Sequence, residues 1–311
     1  MSDAGAGARS GSDPDTSGDH LTVVVITYSP GESLGRFLDT LAVATSRPYD
    51  VVLADNGSTD GAPERAAARP EVTLLRTGGN VGYGLAANLG AAKASGQWLV
   101  VANPDVTWAP GSLDTMLAVA ARWPRAGALG PAIHTPGGAL YPSARALPSL
   151  GRGIGHALAG WWWPSNPWTA AYRQERGAPR EGVAGWLSGS CLLLRRAAFD
   201  AVGGFDPSYF MYFEDLDLCE RIGLAGWQNV YVPSAVIIHE GAHATRRSRT
   251  AMVAAHHRSA YLYLSRRYRG WRPLPLRLVL RAGLAARAAL ARRVPGAGEG
   301  ARPTRNADTV R

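Results

Sequence analysis

Leu21-Thr22-Val23-Val24-Val25-Ile26-Thr27-Tyr28 is the stretch from which the architecture follows. It is a nearly unbroken run of β-branched and apolar residues. A strand with one wet face would alternate polar and apolar positions; a continuous run marks a strand covered on both faces, as in a parallel sheet packed between helices. Val51–Ala54 and Trp98–Ala102 have the same character. Between the three runs, Glu32–Ala44, Pro63–Ala68 and Leu85–Ala94 read as helices. Strand and helix therefore alternate, the pattern of an α/β fold with right-handed crossovers.

Working outward, the first 135 residues read as a nucleotide-binding α/β half. Residues 149–182 are rich in Gly, Pro and Trp, with WWWPSNPW at Trp161–Trp168, and read as a loop insertion. Order returns at Val183, with a strand at Cys191–Leu194, a helix opened near Asp215, and strands near Val230 and Ile237. The expected organisation is a disordered tail over 1–20, a catalytic domain over 21–245, a basic helical segment over 246–295 and a disordered tail over 296–311.

The chain has 311 residues, is 46% hydrophobic and 18% charged, and carries 37 Gly and 21 Pro without a Gly-X-Y period. With a mean hydropathy of −0.10, this excludes fibrous, disordered and multi-span membrane classes. The net charge of +9 is unevenly placed, because residues 241–311 hold 16 Arg against two acids, Glu299 and Asp308. Cys191 and Cys219 form no CxxC pair and suit a reducing compartment. Met1–Asp19 lacks the apolar core of a secretory signal, and the uncharged run Gly153–Tyr172 is broken by Pro164, Asn166 and Pro167. The expected location is cytoplasmic, peripheral on the inner face of the plasma membrane.

Ligands of such folds bind at loops following the carboxyl ends of parallel strands. Four of these loops carry polar residues: Thr27-Tyr28, Asp55-Asn56-Gly57-Ser58-Thr59-Asp60, Gly78-Gly79-Asn80-Val81-Gly82-Tyr83-Gly84, and Asn103-Pro104-Asp105. A strand-end carboxylate can accept from a base or ribose, and glycines let backbone approach a diphosphate. In isolation DNGSTD would be a turn with a helix cap, and NPD an Asp turn. The four together point to a nucleotide site, where a divalent cation bridging a diphosphate to Asp105 would neutralise a leaving group.

Further along, FMYFEDLDLCER places Asp215, Leu218 and Ile222 on one face of a helix begun near Phe213. A carboxylate under aromatic neighbours is suited to act as a base; the plainer reading is that Glu214 and Asp215 only favour the helix N-terminus. Asp217 and Glu220 read as solvated or paired with Arg221. His239 ends an apolar strand, where it is either a ligand or a histidine satisfied by a backbone carbonyl. Trp186 can stack on a pyranose face with Ser188 hydrogen-bonding beside it, or simply fill the core.

The ordered series VVVITY, DNGSTD, GGNVGYGLAAN, NPD, GWLSGSCLLLRR, GGFDPSYFMYFEDLDLCER and HEGAHATRRS resembles the inverting nucleotide-sugar glycosyltransferases of GT-A fold, of the family 2 type. Within them it is similar to the bacterial rhamnosyltransferase branch. The resemblance covers about residues 21–248. It implies a Rossmann-like, mostly parallel mixed sheet flanked by helices, with a basic helical C-terminal extension. It implies transfer of rhamnose from a dTDP-sugar donor, dTDP-rhamnose, to a polyprenyl-diphosphate-linked N-acetylglucosamine acceptor in cell-wall linker assembly. Asp55 would contact the nucleobase with Thr27 and Tyr28 beside it and Asn56 and Gly57 in the same loop. Asn80, Gly82 and Asn88 would line the nucleotide sugar. Asp105 matches the last position of the family's DxD motif and would ligate Mg²⁺ or Mn²⁺, with Asn103 where many members have Asp and with His239 completing the metal site. Asp215 would be the catalytic base and Glu214 would fix the acceptor; Trp186 and Ser188 fall in the acceptor-side segment.

The basic C-terminal segment suits an anionic membrane surface. Leu274–Arg293 reads as an imperfectly amphipathic helix, and the Trp161–Trp163 cluster could reach the interface. Arg246, Arg247 and Arg249 could close over the diphosphate. Two alternatives stay open: another deoxyhexosyl, galactofuranosyl or polysaccharide transferase of the same fold, and a nucleic-acid-binding protein whose arginine tail tracks phosphates. The second leaves DNGSTD, NPD and ED without a task, so no nucleic acid is expected. Oligomeric state is not read from this pattern.

Overall fold

In the computed structural model the described residues are 20–148, 179–241 and 249–268. They fall into two units, divided after Arg247. The first contains β1 (Leu21–Thr27), α1 (Ser33–Ala44), β2 (Tyr49–Asp55), α2 (Ala62–Ala66), β3 (Val72–Arg76), α3 (Tyr83–Ala91), β4 (Trp98–Ala102), β5 (Val106–Trp108) and α4 (Ser112–Arg122). There follow β6 (Ala126–His134), β7 (Leu140–Tyr141), β8 (Ala144–Arg145), β9 (Gly182–Ala184), β10 (Trp186–Leu187), β11 (Cys191–Arg195), α5 (Arg196–Ala201), α6 (Glu214–Leu224) and β12 (Gln228–His239). The second unit contains α7 (Arg249–Arg267).

The sheet runs β3-β2-β1-β4-β11-β6-β12-β5, with β7 on β6 and β9 on β12; β8 and β10 form a separate pair. β3, β2, β1 and β4 are parallel, β11 is antiparallel to both neighbours, and β6 and β12 are parallel again. This is the expected mostly parallel mixed sheet. β1 is buried along its whole length. Val23 and Val25 face Phe37, Leu41, Leu113 and Met116 of α1 and α4. Val24 and Ile26 face the opposite layer, where Ala86 and Ala87 of α3 and Leu218 and Ile222 of α6 lie. Each buried valine or leucine contributes about 1.5–3 kcal/mol relative to exposure, so the run that marks β1 is also a main source of its stability.

Three details differ from the sequence reading. The strands expected near Val230 and Ile237 are one strand, β12, which keeps its pairing with β6 across Pro233 through a register shift between Val232 and Val236. The Asp105 turn leads into a short strand, β5, and the helix behind Pro110 begins at Ser112 after the left-handed Gly111. Helices α2 and α3 are displaced toward the N-terminus of the expected ranges, beginning at Ala62 and Tyr83.

The tails, most of the 149–182 insertion with its Trp161–Trp168 motif, Arg246 and Arg247, and Leu274–Arg293 lie outside the described residues. Of the basic segment, residues 249–267 form a helix. Among the described residues no helix is long and apolar enough to cross a membrane.

Candidate active site

The strand order reverses at β1 and β4, and the loops following those strands, with the turn into α6, build the site. Asp55, at the end of β2, has a fully buried side chain. Its carboxylate accepts from Thr27 Oγ1 at 2.9 Å, Arg76 Nη1 at 2.9 Å and the Ser58 amide at 3.2 Å, and also from Ser58 Oγ. Asn56 donates to Gly82 O at 3.2 Å and accepts from Thr77 Oγ1 at 3.1 Å, tying the loops after β2 and β3 together. Thr27 is buried with Asp55, whereas Tyr28, Gly57, Thr59 and Asn80 are open to solvent. The nucleobase role expected of Asp55 therefore meets a carboxylate already engaged by its own loop.

Asn80 Oδ1 accepts from the Gly82 amide at 3.2 Å. Gly82 sits at φ +90°, and a Cβ there would lie 2.4 Å from Phe210 O, so only glycine permits the approach of this loop to the segment that precedes α6. Asn88 differs from its expected place on the nucleotide sugar. Its Nδ2 donates to Phe205 O at 2.7 Å and its Oδ1 accepts from Phe205 N at 2.9 Å, so both polar atoms hold backbone.

Beyond β4, Asp105 and His239 meet because β5 pairs with the end of β12, Val106 opposite His239. His239 Nε2 lies 3.0 Å from Asp105 Oδ1 and 3.1 Å from Asn103 Nδ2, and the Gly241 amide donates to Asp105 Oδ2 at 3.1 Å. Burial pushes the Asp105 carboxyl up, but the hydrogen bonds from His239 and Gly241 outweigh it and hold the group below the usual carboxylate range. Among the described residues no group of three His, Cys, Asp or Glu side chains surrounds this point. A carboxylate, an imidazole and an amide are a donor set suited to Mg²⁺ or Mn²⁺ only if a bound diphosphate completes the shell. The residues fit a nucleotide-dependent cation.

The third group is the start of α6. Tyr212 and Phe213 both have positive φ, at 67° and 68°, and turn the chain so that Glu214 and Asp215 open the helix facing the sheet. Glu214 is 8% exposed, and its Oε2 is buried without a hydrogen-bond partner. Burial and the neighbouring Asp215 push its carboxyl up to about 8. Asp215 is also raised by burial, but it accepts from the Gly189 and Leu216 amides, both at 2.8 Å, and feels the positive charge of Arg145. Two donated hydrogen bonds favour the charged form, and none reaches Glu214 Oε2. Near neutral pH the charge of the pair therefore rests on Asp215 and the proton on Glu214.

Gly189 and Ser190 join the two carboxylate centres. Gly189 N donates to Asp215, and the next residue, Ser190, accepts through its carbonyl from Asn103 N at 3.0 Å. A Cβ at Gly189 would come within 3.1 Å of Asp215 Cβ. Tyr83 Oη donates to Gly189 O at 2.6 Å, and its hydroxyl is raised well above its ordinary value, by burial first and then by Glu214, Asp215 and Asp105. Tyr83, Gly189 and Arg145 were given no role by the sequence reading. The only local signal was an aromatic residue set among the glycines of GGNVGYG. Trp186 is half-buried, with the Arg145 guanidinium 5.5 Å from its ring centroid; Ser188 is nearly buried and donates to Ser190 Oγ at 3.2 Å. Asp217 pairs with Arg221 at 2.7 Å, one of the two outcomes expected for it.

The sequence matches the Glycosyl transferase family 2 profile over residues 22–203 and the Glycosyl transferase family group 2 profile over 172–290. It is 56% identical over 284 residues to the N-acetylglucosaminyl-diphospho-decaprenol L-rhamnosyltransferase of Mycobacterium tuberculosis, covering 88% of this chain and 92% of that protein. It is 42% identical over 85 residues to the rhamnosyltransferase WbbL of Escherichia coli K12, covering 27% of this chain and 32% of that protein. Among solved structures, the mannosyltransferase PcManGT of Pyrobaculum calidifontis, in complex with GDP-Man and Mn²⁺, superposes with a TM-score of 0.52 at 20% identity, covering 89% of this chain and 76% of the other.

Proposed function

The chain belongs to glycosyl transferase family 2 and is a glycosyltransferase, and from that premise we propose that it moves L-rhamnose from dTDP-rhamnose to a polyprenyl-diphosphate-linked N-acetylglucosamine, with inversion, in cell-wall linker assembly. The observation that carries the reading is the single Gly189-Ser190 step, which touches Asp215 through one residue and Asn103 of the Asp105 loop through the next. A base and a leaving-group site have to lie within one sugar's width of each other for a single displacement, and this step links them.

In the proposed reaction Asp215 takes the proton from the acceptor hydroxyl as that oxygen attacks the anomeric carbon from the face opposite the departing nucleoside diphosphate. Glu214, holding its proton, donates a hydrogen bond from Oε2 to the acceptor sugar and fixes it over the base. The loop of Thr27, Tyr28, Asp55, Asn56 and Gly57 receives the base and ribose, with Asn80 and Gly82 beside the sugar. Asp105 and His239, with Asn103 beside them, would hold Mg²⁺ or Mn²⁺, which when bound neutralises the charge developing on the leaving diphosphate. Trp186 and Ser188 bound the acceptor side. The basic segment that includes Arg249, Arg258, Arg266 and Arg267 would keep the enzyme on the anionic inner face of the plasma membrane, beside a lipid-linked acceptor.

The test is release of dTDP from dTDP-rhamnose with N-acetylglucosaminyl-diphospho-polyprenol and Mn²⁺, against UDP- and GDP-sugars. Turnover confined to dTDP-rhamnose, and abolished in D215N, is expected. Turnover with another donor but not with dTDP-rhamnose would overturn the donor assignment; full activity in D215N would overturn the mechanism.

A further inference from the structure

Arg145 is a cation set beside two aromatic rings and a backbone carbonyl. Its guanidinium lies 5.5 Å from the Trp186 ring and 5.6 Å from the Tyr141 ring, and its Nε donates to Pro142 O at 2.9 Å. The position follows from the chain, since β8 pairs antiparallel with β10 and sets Arg145 directly opposite Trp186. Arginine so flanked loses little further side-chain freedom when it meets a ligand. No carboxylate stands within ion-pair distance of it among the described residues.

Two neighbouring features give this cation a direction. The Arg145 charge reaches Asp215 and favours its ionised form. Exposed apolar residues stand on strands that precede and follow it in the chain, β7 and β12. Leu140 pairs with His134 across β7 and β6, and His134 pairs with Ile238 across β6 and β12. Residues in register share a face, so Leu140 and Ile238 lie on the same side of the sheet, 43% and 39% exposed. Base, guanidinium and apolar pair match in kind what a sugar hydroxyl, a diphosphate and a hydrocarbon chain require.

We infer that Arg145 binds the diphosphate of the lipid-linked acceptor and that the surface of Leu140 and Ile238 carries the first isoprene units. This deepens the acceptor assignment proposed above and rests on it. A planar fork pairs with phosphate oxygens better than a point charge does, and the adjoining apolar atoms give a prenyl chain what a free phosphate would not use. The donor's diphosphate belongs to the Asp105 side, so the two pyrophosphate groups are held by different residues.

The test measures binding of farnesyl diphosphate and of inorganic pyrophosphate to the full chain by titration calorimetry, with dTDP and Mn²⁺ saturating so that the donor site is filled. The wild type should bind farnesyl diphosphate more tightly than pyrophosphate. R145Q should weaken farnesyl diphosphate about tenfold or more while its own affinity for dTDP stays within about twofold. R145K, which keeps the charge without the fork, should fall between, and serves if R145Q folds poorly. L140D should weaken farnesyl diphosphate and leave pyrophosphate unchanged. Equal binding by R145Q and wild type, a parallel loss of dTDP affinity, or no preference of the wild type for the prenylated probe would each overturn the inference. Failure of the acceptor reading is a separate result: it would appear as Arg145-dependent prenyl diphosphate binding without transfer to N-acetylglucosaminyl-diphospho-polyprenol.

Discussion

Asp55 and the Glu214–Asp215 pair are both acids set into the protein, yet it treats them oppositely. Asp55 receives hydrogen bonds from Thr27, Ser58 and Arg76 and is a tie between loops. The pair receives two amides on Asp215 and leaves Glu214 Oε2 buried and unpartnered, so it stores capacity to bond. An acid whose bonds are all internal maintains the frame; an acid left short of partners is available to a substrate.

Substituting one member of each kind separates the roles. D215N should lower kcat by about a thousandfold, within the range of general base catalysis, while dTDP affinity and the melting temperature barely move. D105A should weaken Mn²⁺ activation by roughly 10–100-fold, read as a shift of the metal titration curve, and chelation should silence the wild type and not the dTDP-binding loop. D55N should do the reverse of D215N. Losing a buried charge that faces Arg76 and Ser58 should cost about 2 kcal/mol, seen as a lower melting temperature, with kcat reduced less than about tenfold. A D55N variant as dead as D215N would erase the contrast.

The smallest effect is the most particular. Glu214 has its proton held up to about 8 in the folded protein, whereas an unfolded glutamate releases it near its ordinary value of 4.5. The folded state therefore binds the extra proton, and stability is lost as pH rises between those two values. Relative to wild type, E214Q should gain melting temperature at pH 8, by roughly 3 °C, and gain almost nothing at pH 4. An equal gain at both would mean that Glu214 is not the protonated member.

Much of the frame was legible because it depends on runs of one kind of residue. β1 and β4 are stretches that could only be covered on both faces, and they stand where expected. β12 was divided in reading because Pro233 and Ser234 look like a turn, and the partner strand that keeps the chain extended there is about a hundred residues away. The acids of the site were visible by type and spacing. Their division of labour was not, because it depends on an amide 26 residues upstream, at Gly189. Asn88 shows the same limit in reverse: its type suggested a ligand, and its partner, 117 residues on, is backbone. Arg145 had no motif around it, and gains its meaning from Trp186 across a strand pair.

Tyr212 and Phe213, both in the left-handed region immediately ahead of α6, bear on any attempt to make this enzyme hardier. Bulky residues adopt that backbone only under constraint, so glycine at either position should relax the turn and raise heat tolerance. The same slack would let the helix's opening acids wander from their aim. Selection for thermostability alone would drift toward glycine there and breed robust, idle enzymes.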